Sequence, residues 1–409
     1  MEQHKTIPFS PPFVDDDVIK EVNDCLKSGW LTTGPRVRDL ELLVKEYTGV
    51  KSVLCVNSWT SGANLIWKWL GLKEGDEVII PCYTYSATAL TILHSGAKPV
   101  MVDISDDFNI NLGLIKSAIT SKTKAIMPVD IGGWPCDIDK LIEIVEADDV
   151  KKKFIAENDN QSKIGRVAII CDAAHSFGAI YKGHKKGYRS DITIFSFHAV
   201  KNLTTAEGGA VCFNLNNNFD IEATTKTLKL MTLNGQTKDA FTKSQAGGWR
   251  YDIIMDGLKI NMPDICAAIG LAQFRKYDSH ILPERKRIFN QYADFFKTKN
   301  WALLPPAIDE KRESSYHLYM LRISNLAEHQ RDLMMAEIAR NGVAVNVHFI
   351  PLPMLTYFKS LGYKMIDYPN AYKNYSCEIS LPIYPQLNND DISHICSTIE
   401  NAYHKIVNG

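Results

Sequence analysis

Short runs of β-branched and aliphatic residues alternate with longer amphipathic stretches through the first half of the chain. Apolar runs such as Ser52–Val56 and Glu77–Pro81 predict buried strands, because a strand covered on both faces is apolar at nearly every position. Stretches between them, such as Ser86–His94, have the apolar spacing of helices. This regular alternation predicts an α/β domain with a mostly parallel central sheet and helices on both faces.

The same pattern continues along the chain. The other predicted strands are Pro99–Ile104, Ala125–Val129, Val167–Cys171 and Ile192–Phe197. The other predicted helices are Gly62–Leu72, Leu112–Ser121, Ile138–Ala147, Pro263–Tyr277 and Arg331–Asn341. Polar residues at Lys151–Gly165 predict an exposed excursion, and Gln236–Arg250 predicts a long loop of the kind that often covers a binding site.

The pattern changes in the last third of the chain. A charged, aromatic helix is predicted at Glu284–Lys299, and strands follow at Tyr316–Ile323 and Val343–Ile350. We therefore expect a large domain at residues 1–279 and a smaller α+β C-terminal domain at residues 280–409.

Charge and cysteine content narrow the function class. The chain has 409 residues, with 46 Lys and Arg against 47 Asp and Glu, so its net charge of −1 gives no general attraction for nucleic acid. The nine cysteines form no CxxC pair and match neither a zinc site nor a disulfide framework. No long apolar run predicts a membrane span, and the first residues do not resemble a signal peptide, so we expect a cytoplasmic protein without a bound metal.

A carboxylate ends one of the predicted strands. The segment Ile169–Gly178, IICDAAHSFG, delivers Asp172 at the carboxyl end of an apolar strand. Ligands of open α/β sheets bind at that edge. An Asp that merely caps the following helix is the alternative interpretation.

A lysine lies in a turn between two further apolar strands. In Asp191–Val211, DITIFSFHAVKNLTTAEGGAV, Lys201 follows a strand, and Gly208 and Gly209 open the next one. A partly desolvated lysine in such a turn has a lowered pKa and can attack a carbonyl group. A solvated turn lysine is the alternative.

Small hydroxyl residues precede a helix at Asn57–Gly62, NSWTSG. Backbone N–H groups at a helix N-terminus bind phosphate, although ordinary capping explains the same residues. Together, a phosphate cradle, a strand-ending Asp and a buried Lys fit pyridoxal 5′-phosphate (PLP). The lysine would form a Schiff base, and the Asp would keep the pyridine nitrogen protonated.

Several spaced motifs in the expected order resemble the DegT/StrS family of PLP-dependent nucleotide-sugar aminotransferases. They are SGWLTTGP (residues 28–35), GDEVIIP (75–81), TKAIMPV (123–129), DAAHSFG, SFHAVKNLTTAEGG, NVHFIPL (346–352) and SLP (380–382). The resemblance covers nearly the whole chain and implies the type I, aspartate-aminotransferase-like fold.

The resemblance also implies roles for individual residues. Lys201 matches the Schiff-base lysine, and Asp172 matches the carboxylate facing the pyridine nitrogen. The other implied cofactor contacts are His175 near the ring hydroxyl, Ser196, Thr60 and Ser61 at the phosphate, Tyr85 stacked on the ring, and Asn261 reaching the phosphate from a neighbouring subunit. The match of Asn261 implies a homodimer.

Substrate contacts are less well defined by the resemblance. Trp59 stands where the family usually has a small residue, so it either lines the sugar pocket or packs into the core. The remaining candidates are His198, Arg250, His317 and His348, each weighed against a structural or solvated role. We assign Glu207 to capping or a turn salt bridge.

The implied activity is transfer of an amino group from L-glutamate to a nucleotide-linked keto sugar. A 4-keto sugar is favoured because the segment around Lys201 is most similar to a 4-aminotransferase of the family. The alternatives are a 3-keto-sugar aminotransferase, a non-catalytic regulator on the same fold, and another PLP enzyme such as a desulfurase or racemase. The presence of Lys201 disfavours the family branch that has His there and dehydrates its substrate.

Overall fold

The computed structural model describes residues 6–238 and 249–407. The larger part of the structure is built on a seven-stranded sheet. Its strands are β1 (Ser52–Val56), β2 (Glu77–Pro81), β3 (Lys98–Val102), β4 (Thr123–Ile126), β5 (Ala168–Asp172), β8 (Ile192–Ser196) and β9 (Gly209–Phe213). They lie side by side in the order β1-β9-β8-β5-β4-β2-β3. Strand β9 runs antiparallel to both of its neighbours, and the other pairs are parallel. The mostly parallel sheet predicted from the sequence is therefore confirmed.

Helices and minor strands surround this sheet. The helices of this part are α1 (Asp16–Lys27), α2 (Pro35–Thr48), α3 (Trp59–Leu70), α4 (Ser86–His94), α5 (Leu112–Ala118), α6 (Ile138–Glu146), α7 (Asp148–Lys151), α8 (Asp159–Ile164), α9 (Ile221–Met231) and α10 (Asp264–Arg275). A short sheet joins β6 (Ile180–Tyr181) and β7 (His184–Lys185) to β11 (Arg312–Glu313). Central strands β5, β8 and β9 are buried at every position, because helices cover both faces.

The C-terminal part forms a second sheet, in the order β10-β12-β13, and its own apolar core. Its strands are β10 (Ala302–Leu303), β12 (Tyr319–Ile323) and β13 (Glu378–Leu381), and its helices are α11 (Leu282–Phe296), α12 (Glu328–Arg340), α13 (Thr356–Ser360), α14 (Pro369–Ser376) and α15 (Asn389–Val407). A π-helical turn, Tyr277–Ile281, leads into α11. The N-terminal segment joins this part of the molecule, since Ile7 pairs with Val343.

One prediction of local structure is wrong. The strand predicted at Val343–Ile350 is absent, and this segment forms only single bridges, from Val343 to Ile7 and from Asn346 to Ser380. The excursion predicted at Lys151–Gly165 is mostly exposed, and it also contains helix α8, whose Gln161 side chain is buried and donates to the Leu70 carbonyl. Residues 239–248 of the predicted loop Gln236–Arg250 lie outside the described residues. None of the described helices combines the length and apolar composition needed to span a bilayer.

Candidate active site

A cavity of about 460 Å³ opens at the carboxyl edge of the large sheet. Parallel strands end together at that edge, so Asp172 of β5 and Ser196 of β8 both reach it. Strand β9 runs the other way and begins there, with Gly209 paired to both Val56 and Ser196. The C-terminal part closes the cavity from the opposite side. One site is thereby enclosed between the two parts of the chain.

The carboxylate of Asp172 lies at the floor of the cavity and is buried. Its Oδ1 accepts the backbone N–H of Ala174 at 3.1 Å, and its Oδ2 accepts the hydroxyl of Thr88 at 2.9 Å. Burial raises the pKa of Asp172 to about 7, against these two hydrogen bonds and the positive charge of Lys201. A carboxylate placed this way stabilises a cation presented to it, such as a protonated ring nitrogen.

The amine of Lys201 lies in the same cavity, in the connection between β8 and β9. The backbone N–H of Lys201 donates to the His198 carbonyl, which closes the turn. Burial lowers the pKa of Lys201 to about 8, and the negative charge of Asp172 acts in the opposite direction. About a tenth of this amine is therefore neutral and nucleophilic at pH 7, far more than for an exposed lysine.

An anion cradle lies beside the lysine, at the start of α3. Ser58 caps this helix by accepting the Ser61 N–H at 3.0 Å, and Thr60 and Ser196 border the same corner of the cavity. A side chain on Gly209 would place its Cβ 2.9 Å from the Trp59 nitrogen, so glycine allows β9 to approach the helix start. Leading N–H groups, two hydroxyls and the helix dipole together suit a phosphate.

Two neutral histidines line the wall between the floor and the C-terminal part. Nδ1 of His175 accepts the Gly132 N–H at 3.3 Å, which leaves its Nε2–H as a donor. Nδ1 of His317 pairs with Oδ1 of Asn202 at 2.8 Å, and the two imidazole rings lie 4.5 Å apart. Burial and the charge of Lys201 hold the pKa values of His175 and His317 well below their usual range. Both rings therefore act as neutral hydrogen-bonding groups.

Most of the predicted site residues border this cavity. Those that do are Lys201, Asp172, His175, Ser196, Thr60, Tyr85, Trp59, His198, His317 and His348. Ser61 is the residue after Thr60 in α3, and its hydroxyl lies 2.9 Å from that of Ser58. Trp59 both borders the cavity and packs into the core, where its Nε1–H donates to the Ile194 carbonyl. Nε2 of His198 lies 3.6 Å from Glu207, which also borders the cavity.

Two of the predicted residues are not brought to the cavity of their own chain. The side-chain amide of Asn261 donates to the Thr33 hydroxyl at 2.7 Å, in a separate groove between α2 and α9. Arg250 is exposed and stacks 5.0 Å from the ring of Trp249. Arg250 is exposed, whereas Asn261 is half-buried and its Oδ1 also accepts a hydrogen bond from the Lys259 amine.

Sequence reasoning missed several residues of the site. Thr88 was not foreseen, although it lies one helical turn beyond Tyr85 and faces Asp172 from 84 positions away. Phe9, Ser10, Ser58 and Phe349 also border the cavity. Ser58 lay within the motif NSWTSG, whereas nothing in the sequence pattern connects Phe9 to this site.

The residues present fit PLP. The cofactor needs an amine for its aldehyde, a carboxylate for its ring nitrogen and a cradle for its phosphate. Lys201, Asp172 and the start of α3 supply these three groups around one cavity, and the Nε2–H of His175 suits the ring hydroxyl. The cavity is also large enough to hold more than the cofactor.

Comparison with known proteins agrees with this geometry. The model of the DegT/DnrJ/EryC1/StrS aminotransferase family matches residues 12–400. The chain is 33% identical to the spore coat polysaccharide biosynthesis protein SpsC of Bacillus subtilis, over 97% of this chain and 96% of that one. It is 31% identical to the UDP-4-amino-4-deoxy-L-arabinose–oxoglutarate aminotransferase of Shewanella sediminis, over 96% and 97% of the two chains.

A solved structure is closer still. The putative sugar aminotransferase Spr1654 from Streptococcus pneumoniae, solved in its PMP-form, superposes with a TM-score of 0.94 at 42% identity, covering 98% of this chain and 100% of that one. The same protein is also known in its PLP-form. The chain belongs to the DegT/DnrJ/EryC1/StrS aminotransferase family. Membership confirms the predicted family, the type I fold and the PLP-dependent aminotransferase class.

Proposed function

We propose that this member of the family transfers an amino group from L-glutamate to a nucleotide-linked keto sugar, with a 4-keto sugar favoured. The observation that carries the proposal is the placement of Lys201 and Asp172 in one cavity that has further room beside them. The names of SpsC and of the arabinose aminotransferase support a role in amino-sugar biosynthesis. Similarity to the arabinose enzyme, including the segment around Lys201, supports amination at C4.

When bound, PLP supplies an electrophilic carbon and an electron sink. Lys201 is the group that takes the proton from the α-carbon of the amino donor, because its pKa of about 8 leaves it partly neutral at the working pH. Asp172 would hold the ring nitrogen of the bound cofactor in its protonated state. The same two residues act in reverse when the keto sugar accepts the amine.

The mouth of the cavity suits a sugar. Tyr85 is 62% exposed there, and its ring centroid lies 5.9 Å from that of Phe349. Aromatic faces beside the polar groups of His198 and Ser10 match the mixed apolar and hydroxyl surface of a pyranose. We therefore assign the sugar to this mouth, above the cofactor.

The position of Asn261 supports a dimer in which each subunit completes the site of its partner. In its own chain Asn261 lies beside Thr33, outside the cavity that holds Lys201. We propose that a second copy brings Asn261 to the phosphate cradle, and that the dimer works in the cytoplasm.

The first experiment is an absorbance titration of the PLP-loaded protein with L-glutamate. We expect the visible band of the cofactor to disappear and the pyridoxamine band to grow, and 4-keto nucleotide sugars to restore the visible band. Restoration by 3-keto sugars alone would move the assignment to C3. A visible band that ignores every amino donor would contradict the proposed reaction and favour the non-catalytic regulator.

A further inference from the structure

A buried carboxyl group lies behind the active-site cavity and plays no part in the site described so far. Glu378 is the first residue of β13 and is fully buried. Its Oε1 lies 2.5 Å from the Ser380 hydroxyl, and its Oε2 accepts the backbone N–H of His348 at 3.2 Å. The Ser380 oxygen lies 3.0 Å from Nδ1 of His348. Hydrogen bonds therefore run without a break from Glu378 to the cavity.

The backbone holds this relay in place. Glu378 and Ser380 are two positions apart on a strand, so their side chains share one face. The backbone of Ser380 exchanges two hydrogen bonds with Asn346, of 2.7 and 3.2 Å, which fixes the segment that carries His348. The His348 ring stacks on Phe9 with centroids 5.3 Å apart and borders the same cavity as Lys201.

The imidazole of His348 is neutral, because burial and the charge of Lys201 lower its pKa to about 3. A neutral imidazole carries one N–H, and the partner of one nitrogen decides which nitrogen has it. If Ser380 donates to Nδ1, then Nε2 carries the hydrogen and is a donor. If Ser380 accepts from Nδ1, then Nε2 is an acceptor.

We propose that Glu378 and Ser380 are positioning residues that set whether His348 offers the substrate a hydrogen-bond donor or an acceptor. With Glu378 protonated, its O–H donates to Ser380, the Ser380 hydroxyl donates to Nδ1, and Nε2–H is the donor. When Glu378 loses its proton to solvent, the Ser380 hydroxyl turns to donate to the carboxylate. His348 then takes the Nδ1–H tautomer, so one proton leaves the relay and the imidazole stays neutral throughout.

The surroundings of Glu378 place this change near neutral pH. Burial raises the pKa of Glu378 to about 8, against the hydrogen bond from Ser380 and the N–H of His348. Two arginines also oppose the rise: Arg322 on β12, and Arg331 on α12, which donates to the Glu378 carbonyl at 3.1 Å. The other titratable neighbours of Glu378 are the phenol of Tyr83 and the thiol of Cys377, whose negative forms would face it. Those of His348 are His175, His317 and Lys201, which border the same cavity.

A donor state at neutral pH suits an oxygen acceptor on the substrate, such as a sugar carbonyl or hydroxyl oxygen. This assignment of what Nε2 meets rests on the proposed function. The relay itself does not, because it is defined by contacts within the chain.

The direct test is the ¹⁵N spectrum of protein labelled at its histidine side chains, since the shift of each ring nitrogen reports whether it carries a hydrogen. Comparison with His348→Gln assigns the signals. We expect Nε2–H below about pH 7 and Nδ1–H above about pH 9 in the wild type. Glu378→Gln, whose amide donates to Ser380 at every pH, should keep Nε2–H throughout.

Serine variants supply the matched pair. Ser380→Ala breaks the relay and should abolish the pH-dependent change of tautomer, whereas Ser380→Thr keeps the hydroxyl and should behave as wild type. A His348 tautomer that is the same in wild type, Glu378→Gln and Ser380→Ala at every pH overturns the proposal. This readout requires no turnover, so it stands apart from any failure of the aminotransferase reaction.

Kinetics then link the relay to the substrate. Ser380→Ala should lower kcat/KM for the keto sugar about tenfold through loss of one oriented hydrogen bond, while the half-reaction with glutamate changes less. Ser380→Thr should restore the value. Equal losses in both half-reactions, unrestored by threonine, would mean that Ser380 is only structural.

Discussion

At the scale of single residues, the site depends on a lysine whose burial makes it a nucleophile. Replacing Lys201 with Ala removes the amine but leaves Ser58, Thr60 and Ser196 at the anion cradle. We expect turnover to fall by about 10³-fold or more, because both the nucleophile and the proton carrier are lost. The protein should still bind PLP without a covalent link, as measured by absorbance after dialysis.

The matched control is Lys122→Ala, which removes an exposed lysine far from the cavity and should retain full activity. Ordinary transamination by Lys201→Ala would disprove the role of this lysine.

The pKa of Lys201 predicts how cofactor capture depends on pH. Only the neutral amine attacks the aldehyde, and the pKa of about 8 is lower than that of an exposed lysine. The capture rate of the apoprotein should therefore rise about tenfold per pH unit below pH 8 and level off above it. Asp172→Asn removes the charge that raises this pKa, so its midpoint should move to lower pH. Stopped-flow absorbance measures both curves.

The reference is the reaction of free PLP with lysine acetylated at its α-nitrogen, whose ε-amine is exposed. The rate of this reaction should keep rising to about pH 10. An identical midpoint for that reference and the wild-type protein would show that burial does not tune the amine.

The sequence predicts a site residue when the residue's own segment marks its role, and it does not when the role depends on a contact with a distant segment. Lys201 and Asp172 were visible because each follows an apolar strand whose end marks the ligand edge of the sheet. Thr88 and Glu378 were not, since the contact of Thr88 with Asp172 and that of Glu378 with His348 join distant parts of the chain. A sequence pattern reports which face a residue occupies, and it does not report which distant side chain lies opposite.

At the scale of elements, one carboxylate ties two helices together. Asp264 opens α10 and is fully buried, yet its oxygens accept the N–H groups of Gly34, Arg36 and Val37 at 2.8, 3.2 and 3.1 Å. It thus caps α2 across the chain. We expect Asp264→Ala to lower the free energy of unfolding by about 2–4 kcal/mol, because three N–H groups lose their acceptor. Denaturant unfolding measures this loss.

Two variants show whether capping is the cause. Asp264→Asn keeps one acceptor oxygen and should cost about 1 kcal/mol. Asp220→Ala removes an exposed cap from α9, where the Asp220 carboxylate accepts the Ala223 N–H, and should cost about 1 kcal/mol or less. Equal losses at Asp264 and Asp220 would contradict the assignment.

The hydrophobic pattern predicts some helices and strands correctly and others wrongly. β1, β2 and α4 have the predicted bounds, because continuous apolar runs end abruptly at turn residues. The strand predicted at Val343–Ile350 is absent because apolar spacing does not guarantee a partner strand. This segment forms only single bridges. This segment instead carries His348 to the cavity.

At the scale of the whole molecule, the site is shared between parts of the chain that are far apart in sequence. The large sheet supplies Lys201 and Asp172, and the C-terminal part supplies His317 and His348. Phe9 enters from the N-terminal segment, which is held to the C-terminal part by the pairing of Ile7 with Val343. Asn261 alone among the expected phosphate contacts lies in a separate groove. A symmetric dimer, in which Asn261 of one chain reaches the anion cradle of the other, would explain that position.

Subunit complementation tests this arrangement. Lys201→Ala and Asn261→Ala each disable both sites of a homodimer, but in a mixed dimer one site keeps an intact Lys201 from one chain and an intact Asn261 from its partner. Random reassociation of equal amounts should therefore restore activity to about one quarter of the wild-type value, since half of the dimers are mixed and each has one complete site. Differently tagged chains, purified as the mixed dimer, should reach about one half. If Asn261 instead served the cavity of its own chain, each chain of the mixed dimer would keep the defect that it has in its parent homodimer. The activity of the mixed dimer would then not exceed the average of the two parent variants.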